Sequence, residues 1–277
     1  MNLDGQLAIV TGANTGIGRV TAATLAKHGA HVLLACRSEE RTRPVVDEIT
    51  QAGGKAEFVP LDLADLASVR ACSKAFLERD VALPLLVNNA GLAGAHGLTK
   101  DGFELTFGTN HLGPYLFTRL LMPAIERAGE ARIVNVASAG HYRARGIDWE
   151  AIKKPTVSTS GFPEYCVSKL ANVLFTSELA ERAPKGVHAY SLHPGGVASD
   201  VWREVPWGLR HVLKLFLLTN EQGARTTLYC ATSDDVRDQN GLYYDRCKPK
   251  TPSKVARDKA LARELWEKSA AWTGLPA

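Results

Sequence analysis

An α/β fold, with helices on both faces of a parallel sheet, is predicted for this chain by three observations. Apolar runs rich in β-branched residues alternate with longer segments of helical periodicity. Three glycines fall within "TGANTGIG", Thr11 to Gly18, directly after the apolar run Leu7-Ala8-Ile9-Val10. No internal repeat, Ser/Gly linker or shift in composition divides the 277 residues, so one domain over 1–277 is expected.

Strands are expected at Leu7–Gly12, His31–Arg37, Ala56–Leu61, Leu83–Asn88, Arg132–Ala137 and Val187–His193, with a short last one at Gly241–Tyr244. Helices fill the gaps. At the first junction Gly12 ends the strand, and Gly16 and Gly18 open a helix beginning near Ile17. Glycine loses the most conformational freedom on folding, so a cluster here means that something approaches the backbone closely. The N–H groups and positive dipole end of a helix suit a pyrophosphate, provided no Cβ keeps it away. The spacing G-x-x-x-G-x-G differs from G-x-G-x-x-G and lacks the Gly-Lys-Ser/Thr ending of a P-loop. By itself it fits either a ligand-binding turn or a tight turn without a ligand.

The second strand ends in Ala35-Cys36-Arg37, where a dinucleotide-binding unit meets the adenosine ribose. An acidic residue there would bond the ribose hydroxyls of NAD, whereas Arg37 suits the 2′-phosphate of NADP; Glu39 and Glu40 stand nearby. Asn88-Asn89-Ala90-Gly91 closes the fourth strand, Asn110 falls in a helix, Ser138 closes the fifth strand, and "HPGGVAS", His193 to Ser199, closes the sixth. Open α/β sheets bind ligands at these strand ends. A helix over Glu164–Arg182 puts Tyr165 and Lys169 at i and i+4, on one face. A phenol titrates near pH 10 on its own, and a neighbouring ammonium lowers that value, so the spacing by itself fits either an acid/base device or two residues that meet by chance on one helix face.

Two segments break the alternation. Ala139 to Pro163 is rich in Gly, Pro, Ser and Thr and long for a strand-to-helix connection. Trp202 to Leu218, "WREVPWGLRHVLKLFLL", is apolar with interspersed basic residues. It reads either as a helix packed on the core or as a flap over an apolar substrate; an interface with a partner subunit or a peripheral contact with a membrane surface is the competing reading.

Composition removes several classes of function. The formal charge of +4 is spread along the chain, and the densest basic stretch, Lys248 to Lys254, is short and broken by prolines, so no nucleic-acid partner is expected. Five scattered cysteines without a C-x-x-C pair predict a reduced, cytoplasmic protein and no metal site. Neither a signal peptide nor a membrane span is expected.

Taken in order, these motifs resemble the short-chain dehydrogenase/reductase family, over nearly the whole chain. Thr11 to Gly18 resembles its cofactor turn, with Gly12, Asn14, Thr15, Gly16, Ile17 and Gly18 as the implied cofactor contacts; Asp62-Leu63 resembles its adenine contact, Asn88-Asn89-Ala90-Gly91 its central-strand motif, with Asn89, Ala90 and Gly91 as contacts, and Tyr165-x-x-x-Lys169 its active-site pair. Pro194, Gly195, Val197 and Ser199 match its P-G-x-V-x-T motif, with Ser199 in place of threonine. The fold implied is a Rossmann-like, doubly wound sheet. Within the family the chain is most similar to the retinol dehydrogenase-like branch, through "TGANTGIG", "ACR", "NNAG", the long Ser138-to-Tyr165 connection and the ending "ARDKALARELWEKSAAWTGL". No amino-terminal hydrophobic anchor is expected, in contrast to the membrane-bound members.

The resemblance implies an oxidoreductase that prefers NADP(H) and can use NAD(H), acts on a small apolar carbonyl or alcohol, and forms homo-oligomers. Tyr165 would exchange a proton with the substrate oxygen, Ser138 would hold that oxygen, Lys169 would bond the nicotinamide ribose and lower the Tyr165 pKa, and Asn110 would hold a water linking Lys169 to solvent. Tyr165 and Lys169 thus count as cofactor contacts too. Two alternatives remain open from sequence: reduction of a steroid-like or acyl-thioester ketone on the same scaffold, and a cofactor-sensing protein without turnover.

Overall fold

A computed structural model describes residues 3–196 and 218–277. Their strands are β1 (Leu7–Thr11), β2 (His31–Cys36), β3 (Lys55–Pro60), β4 (Leu85–Asn88), β5 (Ala131–Val136), β6 (Val187–His193), β7 (Tyr243–Asp245) and β8 (Lys248–Pro249). They join in one sheet of order β3-β2-β1-β4-β5-β6-β7-β8, parallel except for the antiparallel β7/β8 pair.

Helices α1 (Gly16–Lys27), α2 (Glu39–Gln51) and α7 (Asn220–Thr232) cover one face, burying Leu25, Val45 and Ala231 against Val10, Leu34 and Val87. On the other face α3 (Leu66–Leu77), α5 (Gly113–Glu126), α6 (Phe162–Arg182) and α8 (Lys259–Thr273) bury Phe76, Phe117, Phe175 and Trp266 against Ile9, Leu86 and Ile133. Burial on both faces is why the central strands read as continuous apolar runs. Side chains start several helices: Ser38 accepts the Arg41 N–H at α2, Asp65 those of Ala67 and Ser68 at α3, and Asp258 those of Ala260 and Leu261 at α8.

The strand order reverses at β1, which pairs Thr11 with Ala35 of β2 on one side and Val10 with Val87 of β4 on the other. A crevice opens there, at the carboxyl ends of the strands.

Differences from the expected elements are local. β1 stops at Thr11 because Gly12 turns into the left-handed region at φ +63°. β4 starts at Leu85, after Pro84, which has no N–H for a ladder. β8 has only two residues, too few to leave a pattern in sequence. α6 starts at Phe162, with Pro163 in its first turn and Gly161 before it at φ +62°. Asn110, expected in a helix, sits in a π-type turn, Gly108–Leu112, inserted between the short helix α4 (Leu105–Phe107) and α5. The long 139–163 connection contains two 3₁₀ turns, Ala139–Arg143 and Ala151–Lys153. Of the segment Trp202 to Leu218, only Leu218 lies among the described residues. No described helix is long and apolar enough to cross a membrane.

Candidate active site

The described residues expected to hold cofactor come together in one cleft of about 320 Å³ at the crevice. Gly12, Asn14, Thr15, Gly16, Ile17, Gly18, Arg37, Asp62, Leu63, Asn89, Ala90, Gly91, Tyr165, Lys169, Pro194 and Gly195 all line it. Val197 and Ser199 lie outside the described residues. Gly12 and Gly16 take φ of +63° and +57°, which a side chain resists. A Cβ on Gly12 would stand 2.9 Å from Ala90 Cα, and one on Gly18 would stand 2.4 Å from both the Gly12 carbonyl oxygen and Asn89 Nδ2. Gly12 and Gly18 therefore let the chain approach itself and press α1 onto the strand ends. The close approach that excludes side chains at these two positions is between parts of the protein.

Thr11 completes this corner. Its buried hydroxyl accepts the N–H groups of Asn89 (3.0 Å) and Ala90 (2.9 Å), while Asn89 Nδ2 donates back to the Thr11 carbonyl at 2.9 Å. Thr11 opens the stretch "TGANTGIG", but its hydrogen-bonding role is not visible in sequence, where it reads as an ordinary strand residue.

At the ribose end Arg37, Ser38 and Arg41 line the cleft. Glu39 pairs with Arg43 and Glu48 with Arg19. Arg37 and Arg41 have no carboxylate partner among the described residues. Arg41 was missed; its position one turn into α2 is the signal that could have found it. Cys36 is buried beneath the glycine turn, and burial raises its thiol pKa. Asp62 is held by its own turn, its Oδ1 accepting the Ala64 N–H at 3.0 Å.

Ser138, Tyr165 and Lys169 meet at the other end. Ser138 lies two residues past β5 and caps the following 3₁₀ turn, its Oγ accepting the Gly140 N–H at 3.0 Å. It also lies close enough to the Tyr165 phenol to favour its charged form, though by less than burial disfavours it. Lys169 Nζ donates to the Val136 carbonyl at 2.8 Å and lies 5.7 Å from the Tyr165 ring centroid. Burial pushes the Tyr165 phenol up to about 12 and the Lys169 ammonium down to about 8. Loss of water disfavours both charged forms, and it dominates the Tyr165 phenol, which Ser138 lowers in part and Lys169 does not measurably lower.

Asn110 stands beside the cleft without lining it. Its side chain is engaged with the Leu92 backbone, donating to the carbonyl and accepting the N–H at 2.9 Å each, and with Ser168 Oγ at 3.0 Å. A Cβ on Gly91 would come within 3.2 Å of Asn110 Oδ1 and 3.3 Å of Lys169 Nζ, so Gly91 keeps the space between them open. Thr109 and His193 also line the cleft and were not singled out as site residues. Each has a buried polar atom without a hydrogen-bond partner among the described residues, Thr109 Oγ1 and His193 Nδ1.

The cleft fits a nicotinamide dinucleotide. The first turn of α1 has no acidic residue, and Thr15, Gly16, Ile17 and Gly18 at its start line the cleft, so the positive helix end faces the crevice.

The sequence pattern of the family described as short chain dehydrogenase matches residues 6–149. Human dehydrogenase/reductase SDR family member 13 is 42% identical over 99% of this chain and 74% of its own length. Mouse retinol dehydrogenase 11 is 42% identical over 100% of this chain and 89% of its own. Among solved structures, a protein from Mycobacterium paratuberculosis superposes with a TM-score of 0.79 at 32% identity, covering 100% of this chain and 98% of the other. One from Beutenbergia cavernae, described as an NAD(P)-dependent gluconate 5-dehydrogenase and carrying NADP at low occupancy, gives 0.73 at 28% identity over 88% and 96%. A glycine-built crevice, a buried Ser-Tyr-Lys group at its end and full-length relatives of this kind make one conclusion: the chain belongs to the short-chain dehydrogenase/reductase family of oxidoreductases.

Proposed function

We propose that this protein is an NADP(H)-dependent reductase of small apolar aldehydes and ketones, with Tyr165 as proton donor. The observation that carries the reading is the placement of Ser138, Tyr165 and Lys169 at one end of a cleft whose other end presents Arg37 and Arg41. A bound nicotinamide supplies the hydride for the carbonyl carbon. Ser138 holds the carbonyl oxygen through its hydroxyl, whose oxygen already accepts from Gly140. Tyr165 stays protonated at neutral pH and gives its proton to that oxygen as negative charge develops. Lys169 carries the positive charge that steadies the phenolate left behind and offers an N–H donor to the nicotinamide ribose. Arg37 and Arg41 take the 2′-phosphate, and the α1 end takes the pyrophosphate.

An apolar substrate is favoured by the retinol dehydrogenases among the relatives. The apolar stretch Trp202 to Leu218 would line that substrate, a reading carried by its sequence. Its described end supports the location, since Leu218 donates its N–H to the Gly196 carbonyl at 2.7 Å, at the cleft. Trp207→Ala and Leu213→Ala should then raise KM for apolar substrates without changing oligomeric state or liposome binding.

The deciding experiment is NADPH oxidation followed by absorbance over a panel of aldehydes, ketones and charged sugars, with Tyr165→Phe in parallel. Turnover on apolar carbonyls is expected. Tyr165→Phe should lose about 10²–10⁴-fold in kcat while binding NADPH normally. If it retains more than about a tenth of the activity, the proton donor is another group.

A further inference from the structure

His141 is a buried histidine that the proposed reaction does not use. It lies in the Ala139–Arg143 turn, three residues after Ser138, and is 0% exposed. Both ring nitrogens are engaged: Nδ1 stands 2.7 Å from the Ser138 carbonyl oxygen, and Nε2 stands 3.2 Å from the Ser253 backbone nitrogen. A carbonyl only accepts and a backbone N–H only donates. The ring is therefore the neutral tautomer with its proton on Nδ1. Next to it Tyr142 donates its hydroxyl to the Thr251 carbonyl at 2.6 Å, so the turn after Ser138 is fastened to segment 251–253 at two points.

That turn sets the reaction geometry. The Gly140 N–H holds Ser138 Oγ, and a Cβ on Gly140 would stand 3.2 Å from Tyr165 Cε1 and 3.5 Å from Cys166 Sγ. A shift of the turn moves the Ser138 hydroxyl against the Tyr165 ring. We propose that His141 is a positioning residue of the reaction centre, clamping the Ser138 carbonyl to the Ser253 N–H, and that protonating it releases the clamp and slows turnover. With a proton on each nitrogen, Nε2 would face the Ser253 N–H donor to donor.

The groups around His141 bear on where this happens. Tyr142 from its own turn and Tyr243 from β7 pack on the ring at centroid distances of 4.0 and 4.7 Å. Lys250 follows β8 and pairs with Asp245 of β7 at 2.7 Å; His193 of β6 lies within electrostatic reach, and α6 brings Tyr165 and Cys166 to the turn. Burial and the Lys250 charge hold His141 below the usual histidine range. The neutral clamp is intact at pH 7 and fails on the acid side of 6.5, the value from which His141 is lowered.

The inference rests on the reading of Ser138 and Tyr165 given above. Its test is the pH profile of kcat for NADPH-dependent reduction in the unmodified protein, His141→Gln and His141→Phe. Glutamine keeps one donor and one acceptor and does not titrate; phenylalanine keeps the ring and loses both bonds. The unmodified protein should show an acid limb below pH 6.5, and His141→Gln should lack it. His141→Phe should lower kcat by about tenfold or more, as misplacement of a reacting group does, with the Kd for NADPH changed by less than about twofold. An acid limb that persists in His141→Gln overturns the proposal, as does a His141→Phe kcat within about twofold of the unmodified protein. Should His141→Phe fail to fold, judged by NADPH binding and thermal unfolding, the His141→Gln profile decides alone. Ser138→Ala and Tyr165→Phe separate the two readings: if both retain full turnover, the site reading fails and the clamp with it. If both are inactive and the His141 variants behave like the unmodified protein, only the clamp fails.

Discussion

On the proposed reading, Arg37 and Arg41 favour NADPH over NADH, and the size of that effect can be worked out from the structure. Around α2 the carboxylates Glu39 and Glu48 already bind Arg43 and Arg19, while Arg37 and Arg41 line the cleft with no such partner among the described residues. A hydrogen bond to a charged partner contributes about 1.5–3 kcal/mol. Both side chains are exposed to water, so the lower end of that range applies. About 1.5 kcal/mol each is roughly tenfold in Kd per arginine and about 100-fold for the pair. Arg37→Ala and Arg41→Ala should each weaken NADPH binding by that tenfold in calorimetry, the double variant by the product, and NADH binding should hardly change. The NADPH preference should also shrink as salt is raised, because exposed charges are screened. Arg37→Asp should reverse or abolish the preference, since it sets a negative charge against the phosphate. Equal affinities for NADPH and NADH in the unmodified protein would refute the assignment, and a matching loss of NADH affinity in the variants would place the arginines elsewhere in the binding energy.

The buried pair sets the pH dependence of turnover: kcat for carbonyl reduction should fall above pH of about 8, where Lys169 loses its charge, while alcohol oxidation, which needs the phenolate, should rise with pH. Reduction that stays level through pH 10 would exclude Lys169 from that role. His111 is wholly buried, hydrogen-bonds Ser269 Oγ through Nε2 at 3.0 Å, and is lowered by burial from 6.5 to about 3. An unfolded chain takes up that proton below pH 6.5 while the folded one does not, so stability declines as pH falls from there, by about 2 kcal/mol at pH 5. His111→Gln keeps a partner for Ser269 without titrating, and denaturant unfolding at pH 7 and pH 5 should lose about 2 kcal/mol less than in the unmodified protein. Gly18→Ala drives a Cβ to within 2.4 Å of the Gly12 carbonyl and Asn89 Nδ2. Overpacking of this kind costs about 1–3 kcal/mol, or roughly 2–4 °C in Tm per kcal/mol for a chain near this size, and NADPH affinity should fall with it; an unchanged Tm would contradict the close packing of α1 on β1.

The order of elements was legible because β1, β4 and β5 are buried on both faces and leave unbroken apolar runs, Leu85-Leu86-Val87 among them. Their ends were legible only to within one or two residues, since Gly12 leaves β1 through its own φ and Pro84 delays β4 by lacking an N–H. The Tyr165/Lys169 pairing followed from the spacing of a single helix, a local property. Arg41 and Thr109 were not legible: each looks like an ordinary helix residue until the fold turns it toward the cleft.

The sequence by itself determined the alternation of strands and helices, the glycine junction at the crevice, and the identity of the groups that reach it. These depend on backbone preferences and periodicities that act over a few residues. The tertiary structure alone decided the electrostatic state of the site, with Tyr165 raised to about 12 and Lys169 lowered to about 8. Desolvation depends on everything that surrounds a side chain, and those surroundings come from distant parts of the chain. The same holds for His141, whose ring joins the Ser138 carbonyl to the Ser253 N–H, 112 positions beyond it in sequence: only folding brings that acceptor and donor to opposite sides of one imidazole.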